Sequence, residues 1–254
     1  VEVRTSGRGP EIVLIHSLLT GPEAYDQIAK ALASHHTVHR VFLPGFGSST
    51  PLPQDDLSIA DLADVAAKTM EELGCDEAAT VFGNGLGAFV ALNVGIRHGG
   101  AFGPLIVANV GATFPEDRRG AFITMSQLAD DGGMPAVADV AVKRIFPESF
   151  VAKHPTALER RRAVLERIDP GAFSAACRAL ARLDVSDEVR TIENPTLVIA
   201  GSIDMTTPPE MARDVARRIP GARLVTIADC GHCPQLEQPT ALVEVIQTFL
   251  TDAG

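Results

Sequence analysis

Short apolar runs alternate with longer amphipathic stretches along most of the chain, and the alternation changes character once. Runs of strand length, rich in β-branched residues and mostly flanked by Gly, Pro or polar turns, fall at 12–15, 37–42, 79–82, 105–108, 196–200 and 222–227. Near-continuous hydrophobicity of this kind suits strands buried on both faces of a parallel sheet. Apolar residues at helical spacing predict helices over 23–33, 58–73, 86–98, 208–219 and 239–252. Pro208 and Pro239 suit a first helical turn, where a missing N–H costs little. Strand–helix alternation implies an α/β architecture: a doubly wound, mostly parallel sheet covered on both faces. Val1-Glu2-Val3-Arg4 reads as an edge strand.

Between residues 114 and 189 only helical patterns occur, at 118–130, 136–146, 157–168 and 171–183. The turn signals Asp131-Gly132-Gly133 and Asp169-Pro170-Gly171 separate them. An all-helical insertion between two strands of one sheet is expected to cap the strands' C-terminal ends. The expected division is therefore a core of residues 1–113 and 190–254 and a helical cap of 114–189, with a small independent domain as the alternative. The run Glu159-Arg160-Arg161-Arg162 reads as a solvated helix face, with carboxylate binding as the alternative.

Hydrophobic residues make up 46% of the 254, enough for a substantial core. With no Trp and one Tyr, aliphatic side chains must do most of the packing. The net charge of −10 argues against nucleic acid or an anionic membrane as the main partner, because both demand concentrated positive charge. No apolar run approaches the ~18 residues that a membrane span needs. The N-terminal segment has no signal-peptide core, so the cytoplasm is the default expectation. The chain does not begin with Met, which leaves a removed leader open. Cys75, Cys177, Cys230 and Cys233 show no disulfide framework. Cys230-Gly231-His232-Cys233 has the C-G-H-C spelling of a disulfide oxidoreductase, but it follows the last strand of a long α/β pattern instead of opening a thioredoxin-like unit. The expected reading is two small buried thiols flanking a functional histidine.

The chemistry-bearing segments come next. Thr80-Val81-Phe82-Gly83-Asn84-Gly85-Leu86-Gly87-Ala88 is a strand, a glycine-rich turn and the start of a helix. It fits the strained strand-to-helix elbow G-x-S-x-G at every place but one, since Gly85 stands in the nucleophile slot. His16-Ser17-Leu18-Leu19 follows the first central strand, Gly201-Ser202-Ile203-Asp204 another, and Gly231-His232 precedes Glu237-Gln238-Pro239. Together these segments resemble the α/β-hydrolase superfamily over essentially the whole chain. Phe42-Leu43-Pro44-Gly45-Phe46-Gly47-Ser48-Ser49 resembles that family's D-x-P-G-x-G-x-S loop only in part, because Phe42 replaces the aspartate.

The resemblance implies a nucleophile position at Gly85, a triad acid at Asp204 and a triad histidine at His232, in the superfamily's chain order. It implies oxyanion-hole N–H groups from Leu18 and Leu86, with Ser17 and Asn84 close to substrate. Asp204 would fix the tautomer of His232, which would act as general base toward position 85. Cys233 and Ser17 are the alternative nucleophiles nearby. His35, His36, His39, His98 and His154 lack such context and are read as structural.

Four readings of Gly85 compete: an introduced Ser→Gly change, a natural enzyme whose base activates water, a dyad-only lyase, decarboxylase or cyclase, and a non-catalytic binding protein. The expected function is hydrolysis of a small ester or lactone, or of a carbon–carbon bond beside a carbonyl. Local similarity around His16 and Asp204 points toward enol-lactonases of aromatic-acid breakdown. A small-molecule substrate is expected, with no metal and no cofactor called for, and a homo-oligomer left open.

Overall fold

Seven strands form one sheet in the computed structural model, which describes residues 1–53 and 56–253. In chain order the first elements are β1 (Val3–Gly7), β2 (Glu11–Ile15), α1 (Asp26–Leu32), β3 (Thr37–Val41) and α2 (Ile59–Leu73). They are followed by β4 (Thr80–Asn84), α3 (Leu86–His98) and β5 (Leu105–Ala108). The helical stretch comprises α4 (Glu116–Ile145), α5 (Glu148–Lys153), α6 (Ala157–Leu165) and α7 (Pro170–Arg182). The chain closes with β6 (Thr196–Gly201), α8 (Pro209–Arg218), β7 (Arg223–Ile227), α9 (Pro234–Glu237) and α10 (Pro239–Ala253).

The strand order is β1-β3-β2-β4-β5-β6-β7, and only the β1–β3 pairing is antiparallel. Strands β4, β5 and β6 are buried at every residue, as their largely apolar sequences suit. One apolar layer joins α1 and α10 to one sheet face through residues such as Tyr25, Ile28, Phe82, Ile199 and Ile246. The other joins α2, α3 and the α4–α7 helices to the opposite face through Val13, Val81, Phe89, Phe114 and Phe173. A parallel sheet sealed in this way places the loops after β2, β4, β6 and β7 together at one edge.

The structure differs from the sequence expectations in several places. The N-terminal edge strand starts two residues later than expected. β7, read as buried, is an edge strand exposed over most of its length, and Arg223 and Thr226 keep it from offering a flat apolar edge. The helix expected from residue 23 begins as a 3₁₀ turn (Pro22–Tyr25) before α1. Pro209, not Pro208, occupies the first turn of α8. The two helices expected at 118–130 and 136–146 run into one another as α4, broken by the non-helical Gly133 (φ 67°) just before Pro135. α5 and α9 were not expected, because six and four residues are too short to show a helical period. No described helix is long and apolar enough to cross a membrane.

Candidate active site

The turn between β4 and α3 carries Gly85 at φ 54°, ψ −122°, a conformation costly for any residue with a side chain. Its N–H donates to Ala108 O at 3.1 Å, and its carbonyl accepts from the Ala88 and Phe89 N–H groups at 2.8 and 3.1 Å. Flanking Gly83 and Gly87 permit close backbone approach: a Cβ on the first would strike Gly87 O, and one on the second would strike Ile15 O. A Cβ on Gly85 itself would point into the space between two side chains. It would press into the Ser17 hydroxyl and lie 3.0 Å from His232 Nε2.

His232 is held from behind. Its Nδ1–H donates to Asp204 Oδ2 at 2.9 Å, an assignment that leaves Nε2 unprotonated and facing residue 85. The carboxylate of Asp204, 2% exposed, also accepts the Thr207 hydroxyl at 2.7 Å and the Thr206 and Thr207 N–H groups at 2.8 and 3.2 Å. Burial alone would push Asp204 up, but the charge of His232 and these hydrogen bonds hold it below the ordinary carboxylate value. Burial likewise works against the charged imidazole, and Asp204 outweighs it, so His232 titrates above the ordinary histidine value.

Ser17 and Leu18 lie on the loop after β2. Leu18 and Leu86, both buried, have backbone N–H groups without an acceptor among the described residues. The loop is fixed by His16, which the sequence places in the loop segment without giving it a role of its own. Its Nδ1–H donates to Ser17 O at 2.9 Å, and its Nε2 accepts the Leu43 N–H at 3.0 Å. Burial depresses the His16 pKa to about 4, so the ring is neutral at pH 7.

Asn84, expected beside substrate, lies at the end of β4 with its amide hydrogen-bonded to neighbouring loops. It is fully buried, and its amide protons are committed to Ala108 O at 3.3 Å and His232 O at 3.0 Å. Its oxygen accepts Gln235 Nε2 at 3.0 Å. Asn109 adds to these bonds from the end of β5: Nδ2 donates to Gly231 O and His232 O at 3.0 and 2.9 Å, and Oδ1 accepts the Gly201 N–H at 2.7 Å. Glu237 accepts the N–H groups on either side of His232, from Gly231 at 2.6 Å and Cys233 at 2.8 Å. Asn109 and Gln235 carry no motif signal in the sequence, and only their neighbours in the fold reveal them. Cys230 and Cys233 are buried and free, and burial raises both thiols.

The α4–α7 helices reach the same end of the sheet. Arg161 Nη1 donates to Glu23 Oε1 at 2.9 Å, beyond the Ser17 loop, and Asp169 N–H donates to Gly45 O at 3.1 Å. The basic run on α6 is therefore not uniformly solvated, because Arg161 turns inward while Arg162 pairs with Asp139 and Glu166. One group among the described residues could hold a cation: Glu11, His39 and Cys75, with ligand atoms within 4.8 Å of one another. It lies toward the N-terminal ends of the strands, away from residue 85. Its histidine is already engaged by Thr5 Oγ1 at 2.9 Å and Glu11 at 3.4 Å.

Residues 12–245 match the model of the alpha/beta hydrolase family. A polyketide synthase, ThaQ, of Burkholderia thailandensis is 29% identical over 99% of this chain, which spans only 12% of that much longer protein. The pimeloyl-[acyl-carrier protein] methyl ester esterase of Aeromonas hydrophila is 27% identical over 98% of this chain and 99% of its own. Among solved structures, the enol-lactonase of Burkholderia xenovorans LB400 superposes with a TM-score of 0.91 at 26% identity, covering 98% of this chain and 96% of its own.

Proposed function

The chain belongs to the alpha/beta hydrolase family, and from that premise we propose that it cleaves a small carboxylic ester or lactone with His232 as general base. The observation that carries this reading is the placement of His232 Nε2, 3.0 Å from where a Cβ of residue 85 would lie, with its other nitrogen tied to Asp204. A receptor needs no base held by a buried carboxylate. The esterase and enol-lactonase relatives support the substrate class.

In this reading Asp204 orients the ring and stabilises the imidazolium formed when Nε2 takes a proton. His232 withdraws that proton from a hydroxyl or water held beside Gly85, and the resulting oxygen attacks the carbonyl. The Leu18 and Leu86 N–H groups receive the developing oxyanion; fixed dipoles are effective because they need no reorganisation as charge appears. His232 then returns the proton to the leaving alkoxide. Residues 114–189 serve as the cap over this end of the sheet, tied down by the Arg161–Glu23 pair, and set which acyl groups fit.

Gly85→Ser is the decisive variant, assayed with small aryl esters and lactones. Losing the nucleophile of a serine triad costs on the order of 10⁶-fold in kcat. A gain of at least about 10³-fold, abolished by adding His232→Ala, is expected. A folded Gly85→Ser protein that, like the native chain, hydrolyses none of these substrates would instead identify a binding protein built on the same frame.

A further inference from the structure

We propose that Ser17 supplies the nucleophilic oxygen that residue 85 lacks, so that the attacking hydroxyl comes from the loop after β2 and not from the elbow. The inference rests on the reading of His232 as a base and specifies the group on which that base acts.

The geometry is direct. The ideal Cβ position of residue 85 is contested by Ser17 Oγ on one side and His232 Nε2 on the other. A serine at 85 would place its own hydroxyl in that neighbourhood; with glycine there, Ser17 Oγ and His232 Nε2 border the same space without being hydrogen-bonded to one another, and the hydroxyl must turn toward the ring nitrogen as the ester binds. Ser17 is 2% exposed, and its hydroxyl makes no hydrogen bond among the described residues. Its oxygen is not among the fully buried side-chain atoms left without a partner, so solvent or a substrate in the site reaches it.

The backbone around Ser17 is as fixed as that of an elbow. Its carbonyl accepts His16 Nδ1–H at 2.9 Å and the Thr20 N–H at 3.3 Å, and His16 is itself pinned to Leu43. The N–H of the next residue, Leu18, has no acceptor, which is the relation Leu86 bears to Gly85. A nucleophile at either position therefore has an oxyanion donor immediately after it. Cys233, the other nearby candidate, is buried in its protonated form, and the Glu237 carboxylate beside it disfavours a thiolate.

The proposed reaction balances without further reagents. The Ser17 hydroxyl proton passes to His232 Nε2 as Oγ bonds to the carbonyl carbon. The carbon–oxygen bond to the alcohol breaks, and the alkoxide leaves with the proton from Nε2. Water then gives a proton to His232 and its hydroxide to the acyl carbon, and Ser17 Oγ departs and recovers the proton. The net change is ester plus water to acid plus alcohol.

The test uses the full chain, a fluorophosphonate probe and a small aryl ester. The native protein is expected to gain one phosphonyl adduct, mapped to Ser17 by peptide mass spectrometry. Ser17→Ala should abolish the adduct and lower kcat by at least 100-fold, while Ser17→Ala/Gly85→Ser recovers both with the adduct at position 85. That double variant also shows whether the alanine substitution permits folding. His232-dependent hydrolysis that persists in Ser17→Ala without an adduct would overturn the Ser17 proposal and leave the hydrolase reading intact, with water as nucleophile. An adduct on Cys233 would overturn it equally. No adduct and no hydrolysis in the native chain would also overturn it, and Gly85→Ser then decides separately whether the frame is that of a hydrolase.

Discussion

At residue 85 the backbone and the side chain make opposite demands. The turn holds φ 54°, ψ −122°, which glycine accepts and other residues adopt only under strain of about 1–3 kcal/mol. Gly85→Ala isolates the strain, because it adds a Cβ without a hydroxyl. It should lower stability by about 1–3 kcal/mol in urea unfolding, with the Ser17 hydroxyl turned out of its place. An unchanged unfolding midpoint would mean that the turn relaxes and that glycine is not needed for its shape. Gly85→Ser carries the same cost yet is expected to gain activity, so the pair separates the price of the conformation from the value of the oxygen. The glycine spacing around residue 85 was legible because strand, turn and helix follow one another in a few residues. Ser17 could be placed near the same point only through the family resemblance, because two loops far apart in sequence must be superimposed to bring it there.

At the scale of elements, the site is a set of loops registered by side chains buried beneath them. Asn109, at φ 55°, ties the end of β5 to Gly201 and to the carbonyls of Gly231 and His232. Asn109→Gly keeps the positive φ accessible and removes only the amide. It should cost about 2–4 kcal/mol, because buried backbone groups lose their partners, and reduce kcat more than it raises KM, since the loop carrying His232 loosens. A variant with wild-type stability and kcat would show that the loops hold their register without it. Sequence reading found β2, β4, β5 and β6 from their largely apolar runs and β3 from its β-branched residues, and it found the break in α4 because Asp131-Gly132-Gly133 reads as a turn. It misjudged β7, whose Leu-Val-Thr-Ile pattern looks the same on an edge as in a centre. Asp204 and His232 were legible from their places after strands. The amides that aim them were not, since an isolated Asn or Gln has no periodic signal and is read only from its partners.

Across the whole molecule, two buried histidines of the site loops respond to pH in opposite directions. His16, with its pKa depressed by burial to about 4, binds a proton less readily when folded than its unfolded value of about 6.5 allows. Its contribution is present above pH 6.5 and is lost as pH falls toward 4, because the unfolded chain then takes up the proton that the folded one refuses. The span corresponds to about 3 kcal/mol. His232 has the reverse sign: its raised pKa adds stability below the unfolded value, which is lost as pH rises through the folded one. Stability should therefore be greatest near neutrality, whereas catalysis needs His232 neutral and should still be rising on the alkaline side. Urea unfolding from pH 4.5 to 9 beside a kcat/KM profile on Gly85→Ser should show the two optima displaced, activity to higher pH. His16→Asn should flatten the acid limb of stability between pH 4.5 and 6.5, and Asp204→Asn should move the rising limb of activity to lower pH while cutting its height. If the acid limb keeps its slope in His16→Asn, the proton taken up on unfolding belongs to another group, and the ring beneath the Ser17 loop is not what limits the molecule in acid.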